Sequence, residues 1–221
     1  MPHHQPRILI QPLKPAVVAD VSRRLPVLIR VQAPDAAPTQ GKARKPYHLA
    51  LVIDRSGSMF GPPLVEAVRC TRHIINQLAP TDLASLVIFD DRVQTLVPAH
   101  PVGDRQALHL ALLQIHGGGS TNLYGGWQTG ADGLLPAAVQ AALARVVLLS
   151  DGNANVGEIT NTTAIAACCA QAAERGVTTS TYGLGPHFNE ELMVEMAKRG
   201  GGNHYYGDTA ADLFEPFAEE F

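Results

Sequence analysis

The stretch Leu49-Ala50-Leu51-Val52-Ile53-Asp54-Arg55-Ser56-Gly57-Ser58 decides the fold. Its five apolar residues, β-branched at Val52 and Ile53, run directly into an aspartate. A continuous apolar run of this kind reads as a strand buried on both faces, as in a parallel sheet. Asp54 then falls where the strand ends, and Ser56 and Ser58 fall in the loop beyond it. Open α/β sheets bind ligands outside the carboxyl ends of their strands. One carboxylate and two neutral hydroxyls there are hard oxygen donors, suited to a small divalent cation such as Mg²⁺.

Outward from this strand, helical and extended patterns alternate. Pro62 and Pro63 suit a first helical turn, and Leu64, Val65, Val68, Ile74, Ile75 and Leu78 follow at helical spacing. Leu83–Phe89 and Arg92–Val97 read as two strands joined by a tight hairpin at Asp90-Asp91. Asp104 is placed to cap a short leucine-rich helix. A helix is expected to start near Leu123 and carry Trp127, although Gly125, Gly126 and Gly130 weaken its intrinsic propensity and Gly133 and Pro136 interrupt it before Arg145. Arg145–Ser150 is a further core strand, followed by an Ala-rich helix over Thr160–Arg175 and a β-branched strand over Val177–Gly183. Asn189 caps Glu190–Arg199, and Asn203–Tyr206 is a short last strand. Asp208 is expected to cap a final helix that Pro216 kinks. The alternation implies a doubly wound α/β fold: a mostly parallel central sheet with helices on both faces and one antiparallel edge strand.

Asp54-Arg55-Ser56-Gly57-Ser58 resembles the D-x-S-x-S motif of the von Willebrand factor type A (VWA) family. Two further elements are similar to that family's metal-ion-dependent adhesion site. Gly117-Gly118-Gly119-Ser120-Thr121-Asn122 supplies a threonine, and Val146-Val147-Leu148-Leu149-Ser150-Asp151-Gly152 supplies an aspartate after another apolar run. The resemblance covers roughly residues 46–221 and is to bacterial-type members. It implies the Rossmann-like VWA fold and an intact metal site of Asp54, Ser56, Ser58, Thr121 and Asp151. It implies that the hydroxyls meet the metal directly while one or both aspartates act through water. The ion would be Mg²⁺, with Mn²⁺ fitting the same ligands and Ca²⁺ fitting less well. Few direct anionic contacts leave such an ion electrophilic, so an aspartate or glutamate of a partner protein would complete its coordination.

Other residues carry lesser expectations. Asp90 and Asp91 read as a solvated turn rather than a second cation site. Asn153, Asn155 and Glu158 form a polar loop after Asp151, where partner contact and plain loop chemistry are both open. Trp127 reads as core, while Tyr124 is a candidate for the rim of the metal face.

Residues 1–46 differ from the rest. Arg7–Leu13 and Leu25–Val31 resemble two short strands, and Ala33–Pro46, with three prolines, reads as a linker. The resemblance to the VWA family implies that the segment is the first part of a small flanking β-sandwich completed beyond Phe221; the alternative is a surface hairpin. Residues 47–221 form the main domain.

Composition narrows the function. A formal net charge of −3 and the absence of a basic run argue against nucleic acid. No apolar stretch reaches the ~20 residues of a membrane span, and the N-terminus lacks a signal-peptide core. The cysteines Cys70, Cys168 and Cys169 read as free thiols in a reducing, cytoplasmic setting. The histidines lack metal-type spacing, the glycine run lacks the lysine of a P-loop, and no G-x-S-x-G elbow occurs. With these classes set aside, the family resemblance implies a non-enzymatic, metal-dependent protein-binding module. One alternative is a scaffold with a vestigial site. The other is a Mg²⁺-dependent phosphoryl-transfer enzyme, which would need a second acid where Ser56 stands.

Overall fold

The computed structural model describes residues 7–12, 26–32, 45–141, 143–185 and 188–220. The chain divides into two compact units, Met1–Arg44 and Lys45–Phe221. The first contains strands β1 (Arg7–Pro12) and β2 (Val27–Gln32), paired antiparallel. The linker expected over 33–46 lies, up to residue 44, outside the described residues, as does the connection between the two strands.

The second unit runs β3 (Tyr47–Asp54), α1 (Pro62–Gln77), β4 (Leu83–Phe89), β5 (Val93–Pro101), α2 (Gln106–Leu112), α3 (Leu123–Leu134), β6 (Leu143–Ser150), α4 (Thr162–Glu174), β7 (Val177–Leu184), α5 (Glu190–Arg199), β8 (Gly201–Gly207) and α6 (Ala210–Glu220). The six strands lie in the order β5-β4-β3-β6-β7-β8. Every neighbouring pair is parallel except β4–β5, the antiparallel hairpin at one edge. The strand order reverses at β3, whose two neighbours are β4 and β6. That switch point lies at the carboxyl end of the strand that carries Asp54.

The core forms because β3 alternates between two faces. Leu49, Leu51 and Ile53 pack with α1, α2 and α6, while Ala50 and Val52 pack with α3, α4 and α5. All five are fully buried. Complete burial of a Leu, Val or Ile side chain stabilises a fold by about 1.5–3 kcal/mol, so β3 anchors both layers. The glycines of α3 have a packing reason. A Cβ at Gly130 would lie 2.6 Å from Val52 Cγ2, so the helix approaches β3 only because that position lacks a side chain.

One local expectation is corrected. Asp208 does not cap α6: it accepts the Tyr206 hydroxyl at 2.7 Å, and Asp212 reaches back to Thr209 N at 2.8 Å and Thr209 Oγ1 at 2.9 Å. The final helix expected after Asp208 is α6, which includes position 216.

Candidate metal centre

Asp54 is the last residue of β3 and is fully buried. Its two carboxylate oxygens have different donors. Ser56 N donates to Oδ1 at 2.8 Å, closing a tight turn that points the loop back over the strand end. Ser150 Oγ, at the end of the neighbouring β6, donates to Oδ2 at 2.6 Å. The register accounts for this contact: Ile53 pairs with Leu149, so Asp54 and Ser150 end side by side. Gly152 N then donates to the same Ser150 hydroxyl at 2.9 Å.

Beyond Asp54 the chain makes a single 3₁₀ turn over Gly57–Met59, with Met59 buried beneath it. This turn brings the Ser56 and Ser58 hydroxyls within 3.3 Å of each other. Ser56 is buried and Ser58 is exposed. Asp151 follows β6, is 4% exposed, and accepts Asn153 N at 3.0 Å. Ser58 and Asp151 line one cleft of about 420 Å³, together with Phe60, Pro62, Leu184 and Asp208.

Thr121 is 1% exposed and lies in a loop laced to both neighbours. On one side Gly118 N donates to Arg55 O at 2.6 Å and Gly57 N to Gly119 O at 2.8 Å. On the other, Thr121 N donates to Asn155 Oδ1 at 2.8 Å, and Thr121 O accepts Asn155 N at 3.1 Å and Val156 N at 3.3 Å. The three loops that carry Asp54, Thr121 and Asp151 are thus joined by main-chain hydrogen bonds. Gly118 is required by this closure, because a Cβ there would overlap the Asp90 carboxylate.

The electrostatics of the site are set by burial. Desolvation pushes Asp54 up from 3.8 to about 6; the hydrogen bonds from Ser150 and Ser56 oppose this, and the nearby Asp151 charge adds to it. Among the described residues neither Asp54 nor Asp151 has an ion-pair partner. Two buried carboxylates without a cation are costly unless a positive charge sits between them. The two carboxylates and three hydroxyls expected as donors include no thiolate or imidazole, a chemistry that fits a hard divalent cation.

Several residues take roles that the sequence did not reveal. Arg55, the variable residue of the motif, pairs with Asp90 at 2.7 Å and reaches His116 O at 3.3 Å. Asp90 is therefore neither a solvated turn nor a second cation site: it is buried and clamps the first loop, while its carbonyl accepts Asn122 N at 2.7 Å. Asn155 is a loop fastener for Thr121. Tyr124 is 8% exposed and packs with Trp127 in the core, facing Cys168 on α4, so it does not rim the metal face. Its helix starts at Asn122, whose side chain accepts Gly125 N at 3.0 Å, and the first turn directs Tyr124 inward. Trp127 is core, as read, and donates its indole N–H to Thr179 Oγ1 at 2.9 Å.

Residues 48–219 match the sequence profile of the von Willebrand factor type A domain. The chain belongs to the VWA family. Among its relatives is YfbK of Escherichia coli K12, itself uncharacterized, 27% identical over 75% of this chain and 29% of its own length. The chain spans less than half the length of the curated relatives it matches first. Among solved structures, a von Willebrand factor type A protein from Catenulispora acidiphila superposes with a TM-score of 0.66 at 22% identity, covering 80% of this chain and 42% of that one. The manganese-loaded TRAP protein of Plasmodium vivax superposes with a TM-score of 0.61 at 18% identity, covering 78% and 73%. These likenesses show the VWA fold: a mostly parallel six-stranded sheet flanked by helices.

Proposed function

We propose that this VWA domain is a non-enzymatic protein-binding module that works through a divalent cation. Asp54, Ser56, Ser58, Thr121 and Asp151 would hold the ion, and an aspartate or glutamate of a partner protein would complete its coordination. The observation that carries this reading is the pair of buried, unpaired carboxylates at the switch point of a VWA sheet, beside stacked serine hydroxyls. Mg²⁺ is the expected ion and Mn²⁺ fits the same donors; the manganese carried by the TRAP neighbour supports this choice. Ser150, Asn155 and the Arg55–Asp90 pair would act on the ion indirectly, by fixing the loops that present its ligands.

The ion supplies a positive centre that accepts a partner carboxylate when bound. The chain supplies selectivity around it: Asp54 is shielded from solvent, Ser58 faces outward, and the adjoining cleft admits the side chain that carries the acid. Phosphoryl transfer is disfavoured, because Ser56 stands where a second carboxylate would have to move a proton. We also place the protein in the cytoplasm. Its three cysteines are free thiols, and burial, with a smaller push from Glu66, raises Cys70 to about 12. Among the described residues no helix is long and apolar enough to cross a membrane.

Water relaxation tests the open coordination position. Mn²⁺-loaded protein should enhance the relaxation of bulk water, and added acetate should lower that enhancement by displacing inner-sphere water. Enhancement unchanged by acetate would mean that no carboxylate enters the site.

A further inference from the structure

Five large apolar side chains are exposed among the described residues of the Lys45–Phe221 unit, and four of them share one strip of surface. Phe60 is 76% exposed, Val65 56%, Leu113 65% and Leu110 55%. Phe60, Val65 and Leu113 line a groove of about 660 Å³ between α1 and the segment from α2 to Gly117, floored by Leu64 and Leu112. Leu110 and Leu113 carry the strip onward along α2. Exposed apolar surface concentrated in this way marks an interaction site, whereas scattered exposed residues do not.

The groove joins the metal face. Phe60 stands two residues after Ser58 and lines both this groove and the cleft that contains Ser58 and Asp151. The two charged residues that line the groove, Arg69 and Arg72, are both cationic. Arg69 is held by Glu66 at 2.8 Å, but Arg72 is exposed and has no ion-pair partner among the described residues. The one carboxylate at the far end, Asp104, accepts Gln106 N at 3.0 Å.

We propose that this strip is a second contact for the same partner, occupied by an acidic amphipathic segment of it. The segment lays leucine-type side chains between Phe60, Val65 and Leu113 and sets a carboxylate against Arg72. It continues from the residue that meets the metal, so the proposal rests on the metal-dependent reading of the site. Helix-in-groove recognition of this kind takes its affinity from a few apolar anchors and its direction from rim charge.

A set of short synthetic peptides tests it by fluorescence anisotropy. Each carries one aspartate, then leucines at helical spacing flanked by glutamates; controls replace the leucines by serine or the glutamates by lysine. The acidic leucine peptides should bind in Mg²⁺, and Val65→Glu or Leu113→Glu should weaken them about tenfold or more, a loss of about 1.4 kcal/mol. Arg72→Glu should shift preference to the lysine-flanked controls. Both apolar sites are exposed, so these variants keep the fold. Peptide binding that needs Mg²⁺ but ignores the groove variants would overturn the groove and leave the metal reading standing. Binding lost in the groove variants yet indifferent to Mg²⁺ and to Asp54→Ala would support the groove and sink the metal reading. Failure of every acidic leucine peptide to bind would overturn the proposal.

Discussion

Ser150 shows how one hydroxyl conditions the site. It donates to Asp54 Oδ2 at 2.6 Å and accepts Gly152 N at 2.9 Å, so it ties the two strand ends together. Hydrogen bonds to a charged group contribute about 1.5–3 kcal/mol, and losing one leaves the buried carboxylate short of a donor. Ser150→Ala should therefore lower the stability of the metal-free protein by about 2 kcal/mol in urea melts. A second residue gives a pH dependence. Burial, ahead of the opposing charge of Glu190, lowers the pKa of His204 below its usual 6.5. Thr181 Oγ1 donates to Met193 O, so its 2.9 Å contact with His204 has the imidazole Nδ1–H as donor. The unfolded chain binds more protons than the fold in this window, so stability rises with pH and is lost as pH falls below about 6.5. Asp54 acts in the opposite sense, because its folded pKa is raised. The informative quantity is the difference between the wild type and His204→Asn. The wild type should lose melting temperature relative to the variant as pH falls from 7.5 towards 5 (about the range in which histidine titrates), and parallel profiles would contradict this.

At the scale of elements, β3, β4 and β6 were legible because apolar runs of this kind admit few other readings, and each ends on or just before a residue of the candidate site or its clamp. Asp54 and Asp151 were legible for the same reason. Ser150 was not, because its role depends on the β3–β6 register, which no single segment encodes. Asp90 looked like a turn residue because its partner, Arg55, lies 35 positions earlier in the sequence and meets it only once β3 and β4 pair. Tyr124 was misplaced because the site loop and the start of α3 are adjacent in sequence, while helical spacing turns Tyr124 into the core together with Trp127, Gly130, Ala131 and Leu134. The glycines of α3 counted against a helix on propensity, yet they permit its approach to the sheet. Gly130→Ala should gain up to about 1 kcal/mol in propensity and lose about 1–3 kcal/mol to overpacking against Val52 and Ala50. A net loss of stability in thermal melts is the expected outcome; a net gain would mean that α3 can move away from β3 at little cost.

At the scale of the whole molecule, the two units differ in how they are stabilised. The Lys45–Phe221 unit has a core on both faces of its sheet. The β1–β2 pair places Ile8, Ile10, Ile29 and Val31 on one face, each more than 60% exposed. A lone two-stranded ribbon is marginal in water. We propose that residues 1–46 are a separate β segment, part of a small sandwich, and that 47–221 is an autonomous domain. Residues 45–221 alone should melt cooperatively and bind metal as the full chain does; a non-cooperative melt would contradict the boundary. The central claim is the metal site, and calorimetric titration of Mg²⁺ and Mn²⁺ into metal-free protein tests it most directly, with Asp54→Ala and Thr121→Ala alongside. The account expects saturable one-to-one binding that both substitutions abolish while the far-ultraviolet circular dichroism stays unchanged. Metal binding that survives both substitutions, or no binding by the unsubstituted protein at millimolar metal, would contradict it.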